Sequence, residues 1–128
     1  MSYHFSKTVD VPFDQAVTRA TEALKKEGFG VLTDIDVSAT MKAKLGEAFR
    51  PYRILGACNP QLAHRALRAE DKIGTMLPCN VIVQEHPGGG VEVSAVDPVA
   101  SMQAIGNPAL AAVAQEVQAR LKKVIQGL

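Results

Sequence analysis

The sequence predicts a two-layer α+β fold, in which helices pack on one face of a largely antiparallel sheet. Three observations predict it: stretches with apolar residues at helical spacing, short stretches that alternate apolar and polar residues, and a Gly-rich tip between two of the alternating stretches. The expected order of elements is about β-α-β-α-β-α-β-β-α. Since no linker, repeat or low-complexity tract divides the 128 residues, we expect one domain over residues 1–128.

Strand and helix signals alternate in the first half of the chain. Residues 3–9 alternate as a half-buried strand does, a helix with Pro in its first turn follows, and Gly28 is placed to end that helix. Ser38 is expected to cap a short helix that runs to about Gly46, and residues 52–58 have the pattern of a third strand. The second strand is expected to carry Phe29, Val31, Ile35 and Val37 on one face and Leu32, Asp34 and Asp36 on the other.

Asparagine followed by proline marks the start of two helices in the second half. Asn59–Pro60 and Asn107–Pro108 each place an amide side chain at the N-cap and Pro in the first turn, where its missing N–H has no intrahelical partner to lose. Between them, residues 79–86 and 91–97 alternate on either side of the Gly-rich tip, which predicts a β-hairpin. The last helix has one apolar stripe, made of Leu110, Val113, Ala114, Val117, Leu121, Val124, Ile125 and Leu128.

The composition excludes several classes of function. Fourteen basic and 13 acidic side chains leave a net charge of +1, and Trp is absent, so we expect no nucleic-acid binding. No stretch approaches the roughly 18 apolar residues that span a bilayer, so we expect no membrane contact. The first residues lack the basic region and apolar run of a signal peptide. We therefore expect a cytoplasmic protein, in which thiols stay reduced.

Cys58 is one of only two cysteines and lies at a predicted strand end. It comes just before the expected N-cap Asn59, where unpaired amides and the positive end of the helix dipole favour a thiolate. Gly56, two residues earlier, leaves an open spot that a ligand or another stretch of backbone can approach closely. The alternative is that Cys58 is a small apolar residue of the core, because free cysteine is among the most buried residue types.

Cys79 begins a strand behind Pro78, and Asn80 is expected on the opposite face of that strand. Its simplest role is that of a small core residue. If Cys58 and Cys79 meet as a cysteine pair, thiol redox chemistry or capture of a soft metal follows, but their spacing does not establish contact. The sequence contains no C-x-x-C motif, phosphate loop or Ser-His-Asp arrangement.

His64 and Arg53 complete the set of candidates. His64 falls in the helix after Cys58, either as a third soft-metal ligand beside the two cysteines or as a solvated residue. Arg53 borders the strand that leads to Cys58 and either pairs with a small anion or lies on a solvated face. The sequence names no catalytic residue and no cofactor. The candidate ligand-binding residues are Gly56, Cys58, Asn59, Cys79, Asn80 and Arg53, and the candidate metal ligands are Cys58, Cys79 and His64.

Three short blocks carry a resemblance to a known family. They are Ile54-Leu55-Gly56-Ala57-Cys58-Asn59-Pro60, Leu77-Pro78-Cys79-Asn80-Val81 and Asp97-Pro98, in this order. Over nearly its whole length the chain resembles the bacterial and archaeal domain-of-unknown-function family numbered 302. The resemblance implies a compact α+β domain that is often a homodimer and has no established activity. It marks Gly56, Cys58, Asn59, Pro60, Pro78, Cys79, Asn80, Asp97 and Pro98 as motif positions and gives none of them a role.

Three functional hypotheses follow. The first is a small dimeric module whose Cys58/Cys79 locus binds a ligand, a soft metal or a sulfur species. The second is a thiol-dependent enzyme that uses Cys58 as nucleophile or redox thiol. The third is a structural or interaction module with buried cysteines, in which the last helix or the sheet packs on a second copy.

Overall fold

The computed structural model describes residues 2–128, and these residues form one five-stranded sheet. Every neighbouring pair of strands is antiparallel, which confirms the predicted type of sheet. The strands are β1 (His4–Val9), β2 (Gly30–Asp36), β3 (Tyr52–Cys58), β4 (Cys79–Glu85) and β5 (Val91–Val96), and they stand in the order β1-β5-β4-β3-β2. The outer strands of the sheet are therefore β1 and β2.

Five α-helices accompany the sheet over residues 2–128, and together they confirm the α+β class. They are α1 (Phe13–Lys26), α2 (Val37–Leu45), α3 (Pro60–Ala69), α4 (Pro98–Met102) and α5 (Pro108–Gln126). The short helix α4 is an addition to the predicted order: Asp97 caps it by accepting from the amides of Val99 and Ala100. Within the described part of the chain, no helix combines the length and apolar character needed to cross a bilayer.

The predicted helix ends are mostly confirmed. Gly28 has a φ of 85° after α1, and the two backbone bonds Gly28 N to Lys25 O and Phe29 N to Leu24 O close the helix in a Schellman motif. Asn59 and Asn107 cap α3 and α5, each followed by Pro in the first turn.

The predicted cap of α2 was wrong by two residues. The side chain of Asp36 accepts the amide of Ala39 at 2.9 Å, so Asp36 and not Ser38 is the N-cap. Ser38 instead donates its hydroxyl to the carbonyl of Phe49 at 2.9 Å, which ties the helix to the segment after it. A carboxylate competes well with a hydroxyl for a helix N-terminus, because it also complements the helix dipole.

The core lies between the sheet and the helices α1, α3 and α5. α1 contacts β4 and β5, α5 contacts β5 and β1, and α3 packs beside α5. The strands contribute the alternate residues that face the helices, as a half-buried sheet requires. Its largest fully buried side chains are Leu24, Leu55, Ile73, Val81, Val83, Val93, Leu121 and Val124.

A β-bulge in β2 changes the faces that simple alternation predicts. Val31 pairs with Ala57 and Thr33 pairs with Gly56, so Leu32 is an extra residue without a partner in β3. After the bulge, Ile35 lies on the face away from the helices, opposite Ile54. The prediction that Val31 and Ile35 share a face was therefore wrong, because one inserted residue moves every later side chain to the other side.

The face of the sheet away from the helices is largely open to solvent. Across its middle, Ile35, Ile54, Ile82, Ser94 and Ser6 stand side by side in register. The row is apolar on β2, β3 and β4, and polar on β5 and β1. We call this surface the open face.

Candidate functional site

A cavity of about 260 Å³ opens where β3 ends and α3 begins. Its walls come from the bulge of β2, the first turns of α3, the segment before β4 and the middle of α5. The lining is almost entirely apolar, with Leu32, Leu62, Leu77 and Val117 as representative side chains. Both cysteines also line it. We call this space the thiol cavity.

Cys58 lies at the rim of the thiol cavity and is partly exposed. It is the last residue of β3 and directly precedes Asn59, whose Oδ1 accepts the amide of Leu62 at 3.2 Å. This confirms the predicted placement of the thiol just outside the N-terminus of α3. A thiol in this position is accessible to a reagent or a ligand, and it has the positive end of a helix beside it.

Cys79 is buried, with 7% of its surface exposed. It pairs with Ala57 at the start of β4. Burial, and to a smaller extent the charge interaction with Cys58, raise the pKa of the Cys79 thiol to about 11. The thiol of Cys79 therefore stays protonated at neutral pH and behaves as a small apolar wall of the cavity.

The two cysteines share one cavity but have different surroundings. Both are free thiols, and no disulfide joins them. Cys58 is partly exposed at the rim, whereas Cys79 is enclosed by the core. The arrangement therefore places one solvent-accessible thiol in the cavity lining, and the buried thiol of Cys79 beside it forms an inert wall.

The space above Gly56 is taken up by the protein itself. A Cβ at this position would overlap the hydroxyl of Thr33 and lie 2.7 Å from Cγ of Pro78. Gly56 therefore permits the close approach of β2 and of the segment before β4, which is one of the two roles expected for it. Pro78, whose peptide bond with Leu77 is cis, also lines the thiol cavity.

Two other candidates lie away from the thiol cavity. Asn80 is exposed on the open face, opposite to Cys79, as alternation predicts. Arg53 is held by Asp34 through a bidentate pair, with Nε 2.7 Å from Oδ1 and a second bond from Nη2 to Oδ2. This pair lowers the pKa of Asp34 and raises that of Arg53, mainly through the hydrogen bonds. The guanidinium of Arg53 thus already has an anionic partner within the chain.

The candidate metal ligands do not assemble. Among residues 2–128, no three His, Cys, Asp or Glu side chains converge as a metal site requires. His64 is exposed on α3, and its neighbour Ala63 lines the cavity instead. Cys58, Cys79 and His64 therefore form no common site in the described chain.

The residues that build the mouth of the thiol cavity were not predicted. Leu32 is 69% exposed and Leu67 is 44% exposed, and both line the cavity. One signal was available: Leu32 is an apolar residue on a strand face otherwise assigned to Asp34 and Asp36. Val117 and Leu77 also line the cavity, but no pattern in the neighbouring sequence indicates it, because their position there depends on how distant segments pack.

Comparisons with known proteins agree with this fold. The model of a family described as "Domain of unknown function DUF302" matches residues 5–128. The crystal structure of an uncharacterized conserved protein DUF302 from Bacillus stearothermophilus has a similar fold, with a TM-score of 0.91 and 31% sequence identity, over 98% of this chain and 98% of that chain. A comparison with curated proteins finds no match.

Proposed function

The chain belongs to the DUF302 family, a domain of unknown function, and we propose that this member is a binding module that holds a small apolar ligand in the thiol cavity. The observation that carries the proposal is a cavity of about 260 Å³ with an almost wholly apolar lining, open to solvent past two exposed leucines. This volume lies just below the range for pockets that hold drug-sized molecules, roughly 300–1,000 Å³. The ligand is therefore compact.

The mouth of the cavity supports the proposal energetically. Leu32 of β2 and Leu67 of α3 both line the cavity and expose apolar surface to water. A ligand that covers them gains roughly 25 cal/mol for each Å² of apolar area removed from water. The thiol of Cys58 adds a soft, polarisable group at the rim, which suits an apolar or sulfur-containing ligand.

The soft-metal and thiol-enzyme alternatives have less support. Two cysteines supply only half of the four-ligand shell of a structural zinc site, and no third ligand converges on them within residues 2–128. None of the three histidines, His4, His64 and His86, lines the thiol cavity. A Cys58 nucleophile would therefore lack the adjacent base that activates such thiols in Cys-His enzymes.

Small apolar probes test the proposal. We expect benzene and hexanol to shift the backbone amide resonances of Cys58, Leu62 and Val117 in a saturable way, and to slow alkylation of Cys58 by iodoacetamide. Ala63→Phe places a ring into the cavity, and we expect it to abolish both effects. The matched control is Ala43→Phe, on the exposed side of α2. Probe-induced shifts that survive Ala63→Phe, or that occur elsewhere, would contradict the proposal.

We also propose that the module is a homodimer, as expected from the family resemblance, and that it associates through an α2 patch defined by Ile35, Leu45 and Phe49. These three residues come from one stretch of chain and are 47%, 67% and 39% exposed. The helix α2, which ends at Leu45, has no buried residue. An isolated helix of this length is marginal in water, so contact with a second copy would stabilise it. We retain a cytoplasmic location, without nucleic-acid or membrane contact, as part of this proposal.

Sedimentation velocity over a range of concentrations tests the dimer. We expect Leu45→Glu to shift the protein to the monomer, because it replaces the most exposed leucine of the α2 patch with a carboxylate. Leu67→Glu changes another exposed leucine, on α3 and outside the α2 patch; it is the control and should leave the dimer intact. Cys58→Ser should also remain dimeric, and a monomeric Cys58→Ser would instead make the cysteine part of the interface.

A further inference from the structure

The open face carries a second concavity, separate from the thiol cavity. Its volume is about 380 Å³, and it lies over β1, β5, β4 and the start of β3. Its walls include two tyrosines, Tyr3 and Tyr52, and its floor is formed by side chains of the central strands. We call it the open-face groove. Asn80, one of the motif positions, lines it.

One side of the groove is a chain of hydroxyl and imidazole groups. Nδ1 of His4 lies 2.7 Å from Oγ of Ser6, and Oγ of Ser6 lies 2.7 Å from Oγ of Ser94. Ser94 is only 8% exposed although it faces away from the helices. Neighbouring side chains therefore enclose it and hold its hydroxyl in one place. Each group in this chain is able both to donate and to accept a hydrogen bond.

The other side is organised around Gln84. This residue is 9% exposed; its Oε1 accepts from Nε of Arg50 at 3.0 Å and its Nε2 donates to Glu92 at 3.3 Å. The guanidinium of Arg50 lies over the ring of Tyr52, 5.4 Å from its centroid. The side-chain amide of Gln84 is thereby held at both its oxygen and its nitrogen. This part of the floor keeps one orientation before any ligand binds.

Few of the residues that line the groove are ionised, and the nearby guanidinium of Arg50 bonds to the lining residue Gln84. Among the residues that line it, Glu92 is the only one with a carboxylate, and none is Lys or Arg. Glu92 already faces Gln84 and the imidazole of His86, at 3.3 Å each. A merely solvated sheet face is expected to carry charged side chains of both signs. The groove instead combines fixed neutral polar groups with two aromatic rings and the apolar side chains of Ile82 and Val96.

We propose that the open-face groove binds a neutral polyhydroxylated molecule of the size of a mono- or disaccharide. The hydroxyls of such a ligand both donate and accept hydrogen bonds. The serine, imidazole and amide groups of the groove do the same, so the two sets of groups can bond to each other. Tyr3 and Tyr52 provide flat surfaces for the apolar C–H face of a sugar ring. The absence of an unpartnered charge among the lining groups favours a ligand without a phosphate, carboxylate or ammonium group. This proposal does not depend on the ligand of the thiol cavity.

Titration of amide resonances with glucose, maltose and myo-inositol at millimolar concentrations tests the proposal. We expect saturable shifts at Ser6, Asn80 and Ser94. We expect Asn80→Ala to weaken binding of the sugar that binds best by about tenfold or more, because it removes an exposed amide that bonds to the ligand. We expect Ser94→Ala to weaken binding as well, because it removes the partner that holds the hydroxyl of Ser6 in place. The matched control is Ser101→Ala, since the hydroxyl of Ser101 bonds to the carbonyl of Pro98 outside the groove.

Three results would overturn the proposal. The first is the lack of saturable shifts at the groove with all three sugars, while the resonances show a folded protein. The second is binding that Ser94→Ala and Asn80→Ala both leave unchanged. The third is tighter binding of glucose 6-phosphate than of glucose, which would make the groove an anion site.

Discussion

Replacement of Gly56 by valine should lower the free energy of unfolding by about 3 kcal/mol, because overpacking a buried position typically costs roughly 1–3 kcal/mol and two neighbours are in contact here. The new Cβ would overlap the hydroxyl of Thr33 and lie 2.7 Å from the ring of Pro78, and Gly56 itself is buried. The ring of Pro78 is stiff, so it has no rotamer through which to move aside. Urea unfolding followed by circular dichroism measures the change.

Gly30→Val is the matched control for this experiment. Gly30 also lies in a strand, β2, and a Cβ there meets no atom within 4 Å. We expect its stability to stay within about 0.5 kcal/mol of the wild type, as for ordinary surface positions. Thr33→Ala in the Gly56→Val background should recover part of the loss, since it removes the overlapping hydroxyl. Equal stability of the two valine variants would contradict the close approach described at Gly56.

Cys79 should react with iodoacetamide at least about 100-fold more slowly in the folded protein than in urea. Its pKa rises from 9.0 to about 11 on folding, and two pKa units correspond to a 100-fold smaller thiolate fraction at pH 8. Its burial restricts the reagent further. Mass spectrometry of a time course on the Cys58→Ser variant isolates Cys79, and the Cys79→Ser variant reports Cys58, which should react readily in the folded state.

The same pKa shift has a defined effect on stability. A thiol whose pKa is raised in the folded state keeps its proton there while the unfolded chain loses it, so stability falls as the pH rises from 9 to about 11. The loss attributable to Cys79 should be on the order of 2 kcal/mol across that interval. Cys79→Ala should remove this part of the alkaline destabilisation.

The alkylation experiment has a clear contrary outcome. If Cys79 of the folded protein is alkylated as fast without urea as with it, the interpretation of Cys79 as an inert wall of the cavity is wrong.

Local signals in the sequence were sufficient for most of the fold. Asn59–Pro60 and Asn107–Pro108 locate two helix starts, because N-capping and proline in the first turn act within four residues. The Gly-rich tip likewise predicts the β4–β5 hairpin, in which Gly89 and Gly90 have positive φ. The faces of β2 were not predictable, since a bulge depends on the register against β3 and leaves no clear mark in alternation.

The candidate site was predictable only in part. The position of Cys58 outside a helix N-terminus follows from its neighbours in the sequence, and so does the placement of Cys79 and Asn80 on opposite faces of β4. The cavity itself requires Leu32, Leu77 and Val117 to converge from three distant segments. No local rule reports such a convergence, which is why the sequence alone indicated a thiol without its pocket.

The bulge of β2 has one more consequence, for the behaviour of the protein at high concentration. β2 is an outer strand, and a flat outer strand offers its free amides and carbonyls to strands of other molecules. The extra residue at Leu32 breaks the regular spacing of those groups. The irregularity that shapes the mouth of the thiol cavity therefore also protects the sheet from growing into an aggregate through this edge.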